Sequence, residues 1–158
     1  MWFDSDLRFP KETLIRLLAH DVPVVFGGYT ERKPPFKPAV FVDPKDFTKR
    51  AWSTPESTGL LQVIAGGFGC VLTEAPVFQK MPKPWFHIGW NKHIEDYLGE
   101  DIYFFLQLNG LGIPAWLDQD LTKEIAHIGD FEYTPEHAVQ AEARREQEAA
   151  KAAEAKPE

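Results

Sequence analysis

The sequence predicts an α/β domain, and three observations carry that expectation. Short apolar runs end in glycine, as in Val22-Pro23-Val24-Val25-Phe26 before Gly27-Gly28. Between them lie segments whose apolar residues recur at helical spacing. With 44% hydrophobic residues, including 12 Phe, 5 Trp and 4 Tyr, the 158-residue chain has enough apolar matter for a packed core.

Taken in order, Trp2-Phe3 is a scrap of apolar strand that runs into Asp4-Ser5-Asp6. Pro10 suits a first helical turn, and Leu14, Ile15, Leu17 and Leu18 share a face, so a helix is expected over Lys11 to Ala19. Val22 to Phe26 reads as a buried strand. Glu31 to Glu56 is broken by Pro34, Pro35, Pro38 and Pro44, with Val40-Phe41-Val42 its one strand-like run. Such an excursion suits a functional loop or lid, and equally an ordered surface connection.

Leu60 to Ala65 reads as a further strand, interrupted by Gly66-Gly67-Phe68-Gly69 and resumed at Cys70-Val71-Leu72. Ala75 to Met81 suits a short helix with Pro76 in its first turn; Pro82 and Pro84 stop it and deliver Trp85, Phe86, His87 and Trp90 into an irregular segment. Ile102 to Leu108 is apolar nearly all round, like a buried helix, and ends at Gly110 and Gly112. Ile113 to Leu117 and Ile125 to His127 are the last extended pieces. The folded domain is therefore expected over residues 1–134. Residues 135–158, rich in Ala, Glu, Lys and Arg, read as a charged helical or disordered tail with no face to bury.

The net charge of −7 offers no basic footprint for nucleic acid. Cys70 is the sole cysteine, so no intrachain disulfide can form, and a reducing cytoplasm fits. No stretch reaches the roughly 18 apolar residues of a membrane-spanning helix.

Two aspartates one residue apart at a strand end can direct oxygens at one hard divalent cation, which in turn neutralises a diphosphate. Asp4 and Asp6 have that placement. The chain carries a second such triplet, Asp118-Gln119-Asp120, in a polar turn where aspartates commonly bond their own backbone. Glu100-Asp101 opens a helix, where acidic groups are favoured by free N–H groups alone; near a cleft, Asp101 could instead serve as a general base. His127 lies on an apolar strand, either as a hydrogen-bonded core residue or as the group completing an Asp/Asp/His site for manganese or magnesium. His20, His87, His93 and His137 show no mutual metal spacing. Trp85 and Trp90 suit either a sugar platform or ordinary packing.

Five segments occur in order: Phe3-Asp4-Ser5-Asp6-Leu7-Arg8-Phe9-Pro10; Gly27-Gly28-Tyr29 followed by Arg32-Lys33; Ala65-Gly66-Gly67-Phe68-Gly69-Cys70; Gly99-Glu100-Asp101-Ile102-Tyr103-Phe104-Phe105; and His127-Ile128-Gly129. Together they resemble family-2 glycosyltransferases of the GT-A fold over about residues 2–133. The resemblance implies a GT-A-like mixed sheet flanked by helices and a metal-dependent, inverting enzyme that moves a sugar from a nucleotide-diphosphate donor to an acceptor hydroxyl. By that resemblance Asp4 and Asp6 bind the donor diphosphate and, with His127, a Mn2+ or Mg2+ ion. Asp101 is the base and Glu100 its support. Gly66, Gly67 and Phe68 form a floor between donor and acceptor, with Trp85 or Trp90 on the acceptor side.

The family's N-terminal nucleotide-binding part has no counterpart before Met1. A truncated form is therefore expected, or completion by a second chain across an exposed sheet edge, or a remnant without turnover. A non-catalytic partner domain and a metal-dependent phosphohydrolase or nucleotidyltransferase are the competing classes.

Overall fold

The computed structural model describes residues 1–92 and 95–154; His93 and Ile94 lie outside the described residues, as do residues 155–158. In chain order the elements are β1 (Trp2–Phe3), β2 (Leu7–Arg8), α1 (Thr13–Leu18), β3 (Val24–Phe26), β4 (Val40–Phe41), β5 (Leu60–Val63), β6 (Ala65–Gly66), β7 (Cys70–Thr73) and α2 (Ala75–Lys80). They continue with β8 (Gly89–Asn91), β9 (Asp96–Leu98), α3 (Glu100–Gly110), β10 (Ala115–Asp118), α4 (Gln119–Thr122), β11 (Ala126–Ile128), β12 (Glu132–Tyr133) and α5 (Pro135–Glu154).

The class is α/β with a mixed sheet. Five strands run in the order β1-β7-β3-β10-β5, parallel only between β3 and β10. Because side chains alternate across a strand, β3 feeds both faces. Val24 and Phe26 join Phe104, Phe105 and Leu108 of α3 on one side, while Val25 packs with Leu17, Cys70, Leu121 and Ile125 on the other. All three β3 residues are fully buried, as their unbroken apolar run requires. α3 ends where Gly112 takes φ +68°, letting Ile113 N–H reach the Leu108 carbonyl at 3.0 Å and Gly112 N–H reach that of Asn109 at 3.0 Å.

Several elements differ from expectation, each for a tertiary reason. The strand expected from Leu60 to Ala65 is two: β5 pairs with β10, the chain turns at Ile64, and β6 pairs with β4. That second pairing stitches the proline-rich excursion to the glycine segment. Arg50 secures it further, lying 4.2 Å over the Phe41 ring and donating to the Pro38 carbonyl. The excursion is thus an ordered connection. Trp90 lies not in irregular chain but in the β8/β9 hairpin, opposite Tyr97. Of α1's apolar face only Leu17 is buried among the leucines and isoleucine, with Ile15 68% exposed. The tail does bury a face at its start: α5 docks through Pro135 and Ala138 before projecting into solvent. No described helix is long and apolar enough to cross a membrane.

Candidate active site

The turn joining β1 to β2 is held on both flanks. Asp4 N–H donates to the Gly69 carbonyl at 2.8 Å, and Ile128 N–H of β11 donates to the Asp6 carbonyl at 2.7 Å. Since β1 pairs with β7 and β2 with β11, the triplet straddles two sheets. Its carboxylates consequently serve different neighbours: Asp4 faces a cleft, and Asp6 faces His127.

The cleft, of about 420 Å³, has Trp2, Phe68 and Phe86 along its apolar wall and Asp4, Glu100 and Asp101 at its polar end. Trp2 and Phe86 sit on Phe68 with ring centroids 5.4 and 5.1 Å away, and Phe68 and Phe86 pack against the core. Asp101 lies in the first turn of α3, its Oδ1 accepting Ile102 N–H at 2.7 Å. Burial raises its pKa above the ordinary carboxylate range; the Ile102 bond opposes this, and the neighbouring charges of Glu100 and Asp4 add to it. Asp101 thus combines a first-turn position, a bond to its neighbour's N–H and a place on the cleft.

Asp6 Oδ2 lies 3.3 Å from His127 Nε2 across 121 residues of sequence. His127 Nδ1 is 2.9 Å from the Thr30 carbonyl, an oxygen that only accepts, so Nδ1 carries the ring proton. With neutral imidazole, Nε2 then presents a lone pair toward a carboxylate oxygen, two donors to a metal with one ring nitrogen oriented by a carbonyl behind it. With imidazolium, the pair is an ion pair. Asp6 and His127 thus fit two ligand positions on a divalent cation. Asp4 lines the cleft, and among the described residues no three His, Cys, Asp or Glu side chains are gathered for a metal.

Tyr29 links these parts and was only a bystander in its sequence motif. Its ring meets His127 edge-on at 5.2 Å. Its phenol is raised well above its ordinary pKa, first by burial, then by Asp101, Asp4 and Asp6, and so keeps its proton. The glycines exist largely for such neighbours. A Cβ on Gly66 would strike the Phe26 ring, and one on Gly67 would strike the Tyr29 phenol. One on Gly69 would lie 2.8 Å from Asp4 Oδ2.

This corrects the expected floor. Gly66 and Gly67 are buried and make room for aromatic rings, and of that group Phe68 alone lines the cleft. Trp85 is likewise not on the cleft, since its ring packs on Phe78 at 5.0 Å and its indole N–H donates to the Met81 carbonyl at 3.3 Å. Trp90, 55% exposed, lines a separate groove with His87 and Tyr103. Phe86 takes the place expected for a tryptophan. Elsewhere, His20 pairs with Asp118 and His137 with Thr134.

Arg32, which the sequence offers only as part of the second segment and without a role, has its Nη1 3.2 Å from Asp6 Oδ2. Its signal was a basic residue three positions after Tyr29, indistinct from an ordinary surface charge.

No protein-family model matches the chain, and no curated protein matches it. Among solved structures it is similar to the crystal structure of A197 from STIV, with a TM-score of 0.52 and 18% identity. The match covers 85% of this chain and 61% of that chain. At that identity the likeness concerns the fold alone.

Proposed function

We propose that this chain is a GT-A-like, metal-dependent, inverting glycosyltransferase that moves a sugar from a nucleotide-diphosphate donor to an acceptor hydroxyl. The single observation that carries the reading is the meeting of Asp6 with His127 next to a cleft lined by Asp4 and Asp101. A hard divalent ion held by Asp6 and His127 would supply charge neutralisation for the departing diphosphate. Asp4 faces the same cleft and orients the donor.

Asp101 takes the proton of the acceptor hydroxyl as that oxygen attacks the anomeric carbon. The bond from that carbon to the phosphate oxygen breaks, and its electron pair leaves with the diphosphate. A base above the ordinary carboxylate range is the stronger proton acceptor, and partial burial is what raises Asp101. Glu100 beside it raises Asp101 further and borders the acceptor. The apolar wall of Trp2, Phe68 and Phe86 suits the carbon face of a sugar ring.

Titration of UDP- and GDP-sugars with Mn2+ against the chain and Asp6→Ala tests the reading. Saturable, Mn2+-dependent binding that the variant loses is the expected result; binding indifferent to Asp6 overturns the metal role.

A second reading, a non-catalytic partner domain, is favoured by one feature. β1 is an edge strand with Trp2 and Phe3 44% and 43% exposed, a ready surface for another chain. A stable complex that shows no sugar transfer would support that reading over the first.

A further inference from the structure

Arg32 is the most informative residue outside the reaction. Its Nη1 contacts Asp6 Oδ2 at 3.2 Å, the same oxygen that faces His127 Nε2 at 3.3 Å. Nη1 also donates to the Ile128 carbonyl at 3.3 Å. The stem crosses Gly129, where an added Cβ would lie 3.2 Å from Arg32 Cδ and 2.8 Å from the Tyr133 ring. A side chain at Gly129 would crowd the Tyr133 ring first and the Arg32 stem second. The side chain is half-exposed, so its head has free passage into water.

We propose that Arg32 is a resident counter-cation of the metal position: it holds Asp6 until a divalent ion arrives, then turns to the diphosphate. This rests on the metal-dependent reading of the site. A divalent ion ligated by that oxygen at about 2.1 Å would sit within roughly 4–5 Å of the guanidinium and repel it, so metal binding weakens the hold of Arg32 on Oδ2. Anchored over Gly129, its fork stays within one side chain's reach of the same spot, and paired phosphate oxygens match its geometry. The ligand class is a diphosphate, free or esterified to a nucleoside.

The consequence is a pair of effects of opposite sign. Free Mn2+ is followed by its EPR signal, and inorganic pyrophosphate in saturating Mn2+ by calorimetry, on the full chain and on Arg32→Gln. Mn2+ alone should bind about threefold tighter to the variant, in keeping with loss of a half-exposed ion pair. Pyrophosphate should bind about tenfold weaker, in keeping with loss of a charge-assisted contact. Arg32→Met, which keeps the stem over Gly129, should behave as Arg32→Gln does, and Arg32→Lys should retain the competition for Mn2+. Paramagnetic broadening of the His127 ring by Mn2+ places the ion independently of affinity.

Asp6-dependent Mn2+ binding with both affinities unchanged or both weakened in Arg32→Gln would overturn the role of Arg32 alone. Mn2+ binding indifferent to Asp6→Ala would overturn the metal reading and this inference with it.

Discussion

The two Asp-x-Asp triplets have the same spacing and opposite employment. In Asp118-Gln119-Asp120, Asp118 is 4% exposed; its Oδ1 accepts Leu121 N–H at 2.8 Å to cap α4, and its Oδ2 faces His20 at 2.9 Å. Asp120 accepts Gly59 N–H at 2.8 Å and Lys123 Nζ at 3.0 Å, and the Gly59 bond followed by Lys123 holds its carboxyl below the ordinary range. Here the acceptor capacity goes to the backbone N–H groups of Leu121 and Gly59, to Lys123 and to His20. In Asp4-Ser5-Asp6 the carboxylates face side chains instead: Asp4 shares a cleft with Asp101, and Asp6 meets His127 and Arg32. A buried carboxylate that caps a helix is committed to the fold, whereas a part-exposed one whose carboxylate meets only side chains can be offered to a ligand.

The largest effect should appear across the cleft from the first triplet. Asp101→Asn should lower sugar transfer by about a thousandfold, the contribution of a positioned base. The acidic limb of the wild-type rate should lie above the ordinary carboxylate range, because Asp101 must be ionised and its pKa is raised. Stability has the opposite sign. A carboxyl raised by folding binds more protons folded than unfolded, so its penalty is absent below its unfolded pKa, grows as pH rises, and is complete above the raised value. Asp101→Asn should therefore unfold at the same or a slightly higher temperature than wild type at neutral pH. A cooperative loss of stability would instead make Asp101 a structural residue.

Asp6→Ala should weaken Mn2+ by about a hundredfold, as loss of a direct ligand does, while shifting stability by no more than ~1 kcal/mol, the scale of exposed ion pairs. Urea denaturation beside an Mn2+ titration separates the two quantities. Asp118→Ala should invert that pattern, losing about 2 kcal/mol of stability because a buried charged acceptor leaves Leu121 N–H and His20 without it. Its Mn2+ affinity, measured on the folded protein, should match wild type. Asp120→Ala should lose least, roughly 0.5–1 kcal/mol in the same denaturation assay. Were Asp118→Ala to abolish metal binding with the fold intact, the contrast between the triplets would collapse.

Much of the architecture was legible along the chain. The run Val24-Val25-Phe26 announces a strand buried on both faces, and the all-round apolarity of Ile102 to Leu108 announces a helix driven into the core. Local rules suffice there because burial is written into every residue. They fail at Ile64, where only β4 and β10 as separate partners divide the strand, and at Trp90, where a hairpin forms in chain that looked irregular. They fail also at Gly66 and Gly67, whose reason is the rings of Phe26 and Tyr29 in remote sequence.

For the site, the sequence alone singled out Asp4, Asp6, Asp101 and His127 and distinguished the terminal triplet from the one in the turn, because strand ends, helix starts and polar turns leave local marks. Which of these groups come together was decided by the tertiary structure: Asp6 beside His127, Asp4 on one cleft with Asp101, Phe86 rather than Trp85 on its wall, and Arg32 against Asp6. Spacing along a chain states what a residue can do, but a contact between residues 121 positions apart exists only once strand pairing has joined β2 to β11.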